Sequence, residues 1–352
     1  MKTIKWVWAL AAAQGIVLPA EAASMDFGET AVEEIYYLSR NLAGRSVGTQ
    51  KEAETVDYLT NRLQDLGYTP TLQPFTYEWQ DETLTSYNVI ARRPGAFEQE
   101  IIVGAHYDTA PSTMSLDRSN LEGTNDNASG VGVLLELAQR LDDPTYSVEF
   151  VLFGAEEIGL VGSEAYVNQL SEQELDNTLV MVNLDSLVFG DYLYFNAGRG
   201  ATDNPAWFKY RDLALSIANE SGVEAKTNPG LNPAYPAGTG CCSDLESFDQ
   251  LVPVLAAEAT NWEIGALDGY TQTDNPQVPG GATWHDPATD NIEFINEVFP
   301  GLIEERTRDY TLVLDTFIET VEEVSVPEPA AVVATLTAAG LGGLLTKRRQ
   351  HK

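Results

Sequence analysis

Positive charge is scarce in this chain: 20 Lys plus Arg stand against 53 Asp plus Glu, a formal charge of -33 over 352 residues. With no basic surface to neutralise phosphates, nucleic acid is excluded as a partner. Cysteine is nearly absent, and the two present, Cys241 and Cys242, are neighbours. An exported protein permits a disulfide, but neighbouring Cα atoms lie only ~3.8 Å apart, below the usual disulfide span. A bridge and a pair of buried thiols therefore both stay open. Gly/Ser linkers, internal repeats and low-complexity blocks are missing between residues 23 and 326, which leaves one domain as the economical reading. Disorder is excluded as well, because 43% hydrophobic residues with 15 Tyr, 12 Phe and 6 Trp supply a core.

The two ends read as addresses. Residues 1–22 begin with Lys2 and Lys5, continue through an apolar run and close on Ala20-Glu21-Ala22, the pattern of a secretory signal peptide cleaved after Ala22. Residues 327–352 join a Pro-Glu-Pro triplet to a short apolar helix and a basic end. This tail resembles the PEP-CTERM sorting signal, which implies removal by an exosortase-like enzyme at a bacterial envelope and transient membrane contact through both ends. A plain membrane anchor is the alternative: Ala330 to Thr346 is barely long enough to span a bilayer, which takes ~20 residues, and Lys347, Arg348 and Arg349 would stay inside. On either reading the body is extracytoplasmic, secreted or held in the envelope.

Along the body, apolar residues spaced three and four apart predict helices over "GETAVEEIYYLSRNL" and "GTQKEAETVDYLTNRLQDLGY", the second closing at Gly67. Short β-rich runs follow, "TLTSYNVIARR", "EIIVGAHYD", "YSVEFVLFGAEE" and "TLVMVNLDS", separated by helical stretches such as "ASGVGVLLELAQRL" and "GLVGSEAYVNQL". Alternation of this kind predicts an α/β fold: three αβα layers around a central, mostly parallel mixed sheet, with ligands at the carboxyl ends of the strands. Residues 299–323 predict a closing amphipathic helix. The stretch "NPGLNPAYPAGTGCCSD" is too long for a passive connection and is expected to wall a pocket.

Three of the strands end in imidazole or carboxylate, and strand ends in such a sheet meet at one edge. His106 and Asp108 are two residues apart, so they share a face, and the carboxylate can hold one ring nitrogen while the other binds a metal. Histidine is rare enough to sharpen this. Of the three in the chain, His351 belongs to the tail, and His106 and His285 each sit near an aspartate. With Asp126, Glu156, Glu157 and Asp185 they make two imidazoles and four carboxylates on successive loops, a donor set that suits zinc, or less well manganese or cobalt. Adjacent Glu156 and Glu157 point different ways if extended, leaving one free to act as a base beside a metal-bound neighbour.

These motifs, "HYD", "GTNDNASG", "GAEEIGLVGS", "VNLDS" and "WHDPATDN", resemble in this order the di-zinc aminopeptidase family. The resemblance covers essentially the whole body and implies a phosphorylase/hydrolase-like zinc exopeptidase architecture that removes N-terminal residues from peptides. It implies two zinc ions: His106 and Asp185 on one, Glu157 and His285 on the other, and Asp126 bridging both through a cis Asp126-Asn127 peptide. Asp108 is then the group orienting His106, and Glu156 the general base toward a water shared by the two ions, acidified enough to give hydroxide near neutral pH. Glutaminyl cyclases resemble the same fold and keep much of the ligand set around one zinc, so acyl transfer remains the alternative function. In one place the chain departs from the family pattern: Ser243-Asp244-Leu245 stands where many members have Ser-Asp-His.

Overall fold

The computed structural model describes residues 26–263 and 275–321. The expected signal peptide and sorting tail lie outside the described residues. Helix α1 (Glu29–Asn41) buries Ala31, Ile35 and Leu38, steps of four and three that fall on one face. Helix α2 (Gln50–Asp65) is capped by Thr49, whose hydroxyl accepts from the Glu52 amide at 3.1 Å, and it stops just before Gly67, which has φ 84°.

The strands are β1 (Thr71–Trp79), β2 (Glu82–Arg93), β3 (Phe97–His106), β4 (Tyr146–Phe153), β5 (Thr178–Asp185), β6 (Leu193–Ala197), β7 (Ala225–Lys226) and β8 (Val254–Glu258). Between and after them run α3 (Ser129–Arg140), α4 (Val161–Val167), α5 (Glu172–Asn177), α6 (Gly200–Asp203), α7 (Phe208–Glu220), α8 (Leu245–Phe248), α9 (Ile292–Val298) and α10 (Leu302–Thr320). The sheet order is β1-β2-β4-β3-β5-β8-β6-β7. Its centre, β4-β3-β5-β8, is parallel, while β1, β2 and β6 pair antiparallel with their inner neighbours. The sequence reading contains no strand over residues 71–79, and the structure has one. Pro74 is tolerated there because β1 is an edge strand with one unpaired side.

Alternation along the central strands sorts the core into two layers. Ile101 and Val103 of β3 face one side with α1, α3 and α10, whereas Ile102 faces the other with Tyr166, Leu245 and Phe248 from α4 and α8. A parallel sheet buried on both faces needs near-continuous apolar strands, and Val148 to Phe153 and Val180 to Val182 supply them, apart from Glu149. Helices on both faces leave the strand ends as the place where polar side chains can gather.

Candidate metal centre

Three adjacent strands deliver the first donors. His106 closes β3, the Glu156-Glu157 pair follows β4, and Asp185 closes β5. Since β4, β3 and β5 are parallel and in register, with His106 opposite Phe153, their ends open at one edge. Asp126 arrives on a wide helical turn, Thr124–Ala128, in which Asp126 and Asn127 leave helical geometry and the peptide between them is cis. Gly123 starts this turn at φ 54°, and a Cβ there would lie 2.4 Å from the Asp126 carbonyl oxygen, so only glycine fits. Gly130 makes room for the side chain of Asn127. A Cβ on Gly130 would meet the Asn127 amide at 2.5 Å, and that amide ties the turn to β5 by donating to the Leu184 carbonyl at 2.9 Å. His285 comes from the loop before α9, with φ 58° and its carbonyl held by Arg118 Nε at 2.6 Å.

The side chains form two groups joined at Asp126. His106 Nε2 lies 3.1 Å from Asp126 Oδ1 and 3.4 Å from Asp185 Oδ1. His285 Nε2 lies 3.0 Å from Asp126 Oδ2 and 2.9 Å from Glu157 Oε2. Each oxygen of Asp126 thus faces a different imidazole and a different second carboxylate. Ligand atoms of His106, Asp126 and Glu157 also lie within 4.8 Å of one another, so the two groups share one compact cluster. Both ring nitrogens of His106, Glu157 Oε1 and Asp185 Oδ1 are buried without a hydrogen-bond partner. Buried polar atoms in that state are costly, and carboxylates crowded onto lone pairs call for cations. The donor set, two imidazoles and three carboxylates, fits zinc.

The charges say the same. Burial alone would push His285 down, but Glu157 and Asp126 raise it to about 11. His106 goes the same way, Glu156 and Asp185 overriding its burial. Asp126, despite burial, is drawn far below the carboxylate range by the two imidazoles that face its oxygens at 3.1 and 3.0 Å. Burial, with Asp126 adding, lifts Glu157 to about 7. Protons retained on the buried His106 and the half-buried His285 mark where positive charge belongs in this site.

Asp108 has more than one neighbour to hold. Its Oδ1 stands 3.7 Å from His106 Nδ1, too far for a hydrogen bond, and its two oxygens accept the amides of Glu156 at 3.1 Å and Glu157 at 3.3 Å. Asp108 therefore holds the glutamate pair through their amides, with the His106 imidazole beside it. Other groups carried no sequence signal of their own. Asp290 accepts the amides of Asn125 at 2.6 Å and Asp126 at 3.3 Å, and Glu258 closes β8 beside Asp185.

The cluster opens into a pocket of about 440 Å³ lined by Glu156, Cys241, Cys242, Leu245, Glu258 and Trp284 among others. Of the expected pocket wall, the part that lines it is Cys241 to Ser243, and the two cysteines are bridged, with Cα atoms 3.7 Å apart. Leu245 is buried on this wall. Non-glycine residues at positive φ gather here, Ala155, Leu160, Ser186, Cys242 and His285, as strained backbone does at functional sites.

Comparison with known proteins agrees with this geometry. The chain is 39% identical over 336 residues to the alkaline phosphatase isozyme conversion protein of Escherichia coli, covering 90% of this chain and 97% of that one. In fold it is similar to a zinc aminopeptidase from Bacillus subtilis, with TM-score 0.64, 17% identity and coverage of 84% and 95%. It is equally similar in fold to a glutaminyl cyclase from Tannerella forsythia, with TM-score 0.63, 18% identity and coverage of 84% and 99%. The profile of "Peptidase family M28" matches residues 88–310, the span that carries every donor described above, and the chain belongs to that family.

Proposed function

We propose that this zinc-dependent aminopeptidase works with two ions, one held by His106, Asp126 and Asp185 and the other by His285, Asp126 and Glu157. The observation that carries the reading is the division of Asp126, whose oxygens face separate histidine-carboxylate pairs at 3.0 and 3.1 Å. Zinc in that position supplies Lewis acidity and a water acidified enough to attack near neutral pH. Glu156 is the general base. It lines the pocket, its main chain is fixed by Asp108, and burial raises its carboxyl well above the usual range, with His106 opposing and Glu157 adding. A carboxyl so placed can take a proton from the attacking water and return it to the departing amine. Asp108 contributes by positioning both glutamates through their amides.

Peptides are the substrates, and release is from the N-terminus, where a free amine meets carboxylates at the pocket floor. The zinc aminopeptidase and the glutaminyl cyclase match the fold equally, so fold does not separate hydrolysis from cyclisation. Hydrolysis is favoured by the form "AEEIGLVGS" and by the near full-length relative. We further read residues 1–22 as the export signal and 327–352 as a sorting tail for an exosortase-like enzyme, which places the peptidase outside the cytoplasm with transient membrane contact at both ends.

The test separates base from ligand. Glu156→Gln keeps shape and loses basicity, so zinc stays at two per chain while turnover falls by ~10² to 10⁴. Glu157→Gln makes one zinc labile, and added zinc restores part of the activity. Loss of metal from the first variant with both ions kept in the second reverses the two roles. Little change in either removes the reading.

A further inference from the structure

Beneath the candidate ligands lies a cation that binds none of them. Arg45, in the loop between α1 and α2, is completely buried. Its Nε donates to the Tyr107 carbonyl at 2.7 Å, Nη1 to the Glu122 carbonyl at 2.6 Å and Nη2 to the Gly123 carbonyl at 3.0 Å. Tyr107 sits between His106 and Asp108, and Gly123 opens the turn that carries Asp126. One rigid, planar fork thus fixes the spacing of two segments far apart in sequence. Across the same turn Asp290 grips the Asn125 and Asp126 amides, so the turn is held by its carbonyls on one side and its amides on the other. Among the described residues no carboxylate lies within ion-pair distance of Arg45. Burial lowers its pKa to about 10, with Asp290 and Asp108 opposing from further off, and it remains charged at neutral pH.

We propose that Arg45 is a positioning residue of the metal centre, setting the 3.1 Å approach of His106 Nε2 to Asp126 Oδ1 and with it the affinity for the ion between them. The proposal rests on the two-zinc reading above. It has a sign that mere charge does not share. A buried cation near a metal site repels the metal, so if charge were all that mattered, neutralising Arg45 would tighten zinc. If Arg45 sets spacing, neutralising it loosens zinc, and so does Arg45→Lys, which keeps the charge but cannot span three carbonyls on two segments.

The experiment titrates zinc into the metal-stripped full chain, Arg45→Lys and Arg45→Met, against a chromophoric chelator. Visible absorption of the cobalt-loaded forms reports ligand geometry, and urea unfolding of the metal-free forms reports whether each is folded. Expected are folded variants, both with zinc affinity weaker by ~10 to 100-fold, the range for partners that orient ligands, and an altered cobalt spectrum. Equal or tighter zinc with an unchanged spectrum overturns the proposal, even where stability has dropped. Two variants that do not fold with or without zinc also overturn it, by assigning Arg45 to the fold. A wild-type chain that takes up no zinc defeats the two-zinc reading and this inference with it, whereas two ions bound equally by wild type and variants defeat this inference alone.

Discussion

Glu149 offers a measurement of burial that is independent of the metal centre. It lies in the middle of β4, between Arg92 of β2 and Ile102 of β3, and accepts a hydrogen bond from the Tyr166 hydroxyl. Burial lifts its carboxyl from the ordinary 4.5 to about 7, with the Tyr166 hydroxyl opposing and Glu100 adding. The folded pKa is raised above the unfolded value, so the folded state binds the extra proton. The stability linked to this group is complete below pH ~4.5 and is lost as pH rises through 7. Moving the carboxyl from 4.5 to about 7 corresponds to roughly 3 kcal/mol, and partial solvent screening at this half-buried position reduces it to ~2 kcal/mol. Glu149→Gln keeps the acceptor for Tyr166 and removes the charge. Urea unfolding of wild type and variant at half-unit steps from pH 4.5 to 8 should give matching stabilities at the acid end and a variant more stable by ~2 kcal/mol at pH 8. A constant offset across that range, or a variant weaker at pH 8, refutes the argument that burial governs this carboxyl.

Two further outcomes concern the pocket. Acetylating the α-amine of a peptide should abolish turnover, checked by mass spectrometry of products; cleavage unaffected by the block, or release from the C-terminus, would sink the aminopeptidase assignment. Glu246 and Glu258 line the pocket beyond the proposed ligands, and Glu258 is held by Asn196 at 2.5 Å and Trp262 at 3.2 Å. Peptides beginning with Lys should therefore outrun those beginning with Glu, and Glu258→Gln should cut the Lys-over-Leu ratio of kcat/KM by about tenfold, the worth of one charged hydrogen bond; an unchanged ratio would place the first side chain elsewhere.

The site was legible where chemistry interrupts hydrophobic strands. "EIIVGAH", "FVLFGAEE" and "VMVNLD" each end an apolar run on a donor, and a parallel sheet puts such ends together. Helices α1, α2 and α10 are readable from spacing, because each buries one stripe, whereas α3 is buried on every face from Ser129 to Ala138 and shows as an apolar run. What escaped was set by tertiary context. The residues of β8, "VLAAE", are too few to announce a strand, and Glu258 gains its place only by pairing beside Asp185. Arg45 makes its contacts through side-chain donors to distant carbonyls, which leave no periodic trace. Asp108 is legible as the neighbour of His106, but its hold on the Glu156 and Glu157 amides is not, since sequence spacing sets its face and not which amides lie opposite.

The order in which the donors occur along the chain has a consequence for biosynthesis. The proposed ligands begin at His106 and end at His285, and Asp290 behind them grips the Asp126 turn across 164 positions. A nascent chain that has not yet released His285 holds four of the five proposed ligands and lacks the imidazole of the second group, so its two-ion centre cannot close while the polypeptide is still being made. Completion of the fold and the onset of peptidase activity are then one event, and an unfinished copy cannot attack its neighbours.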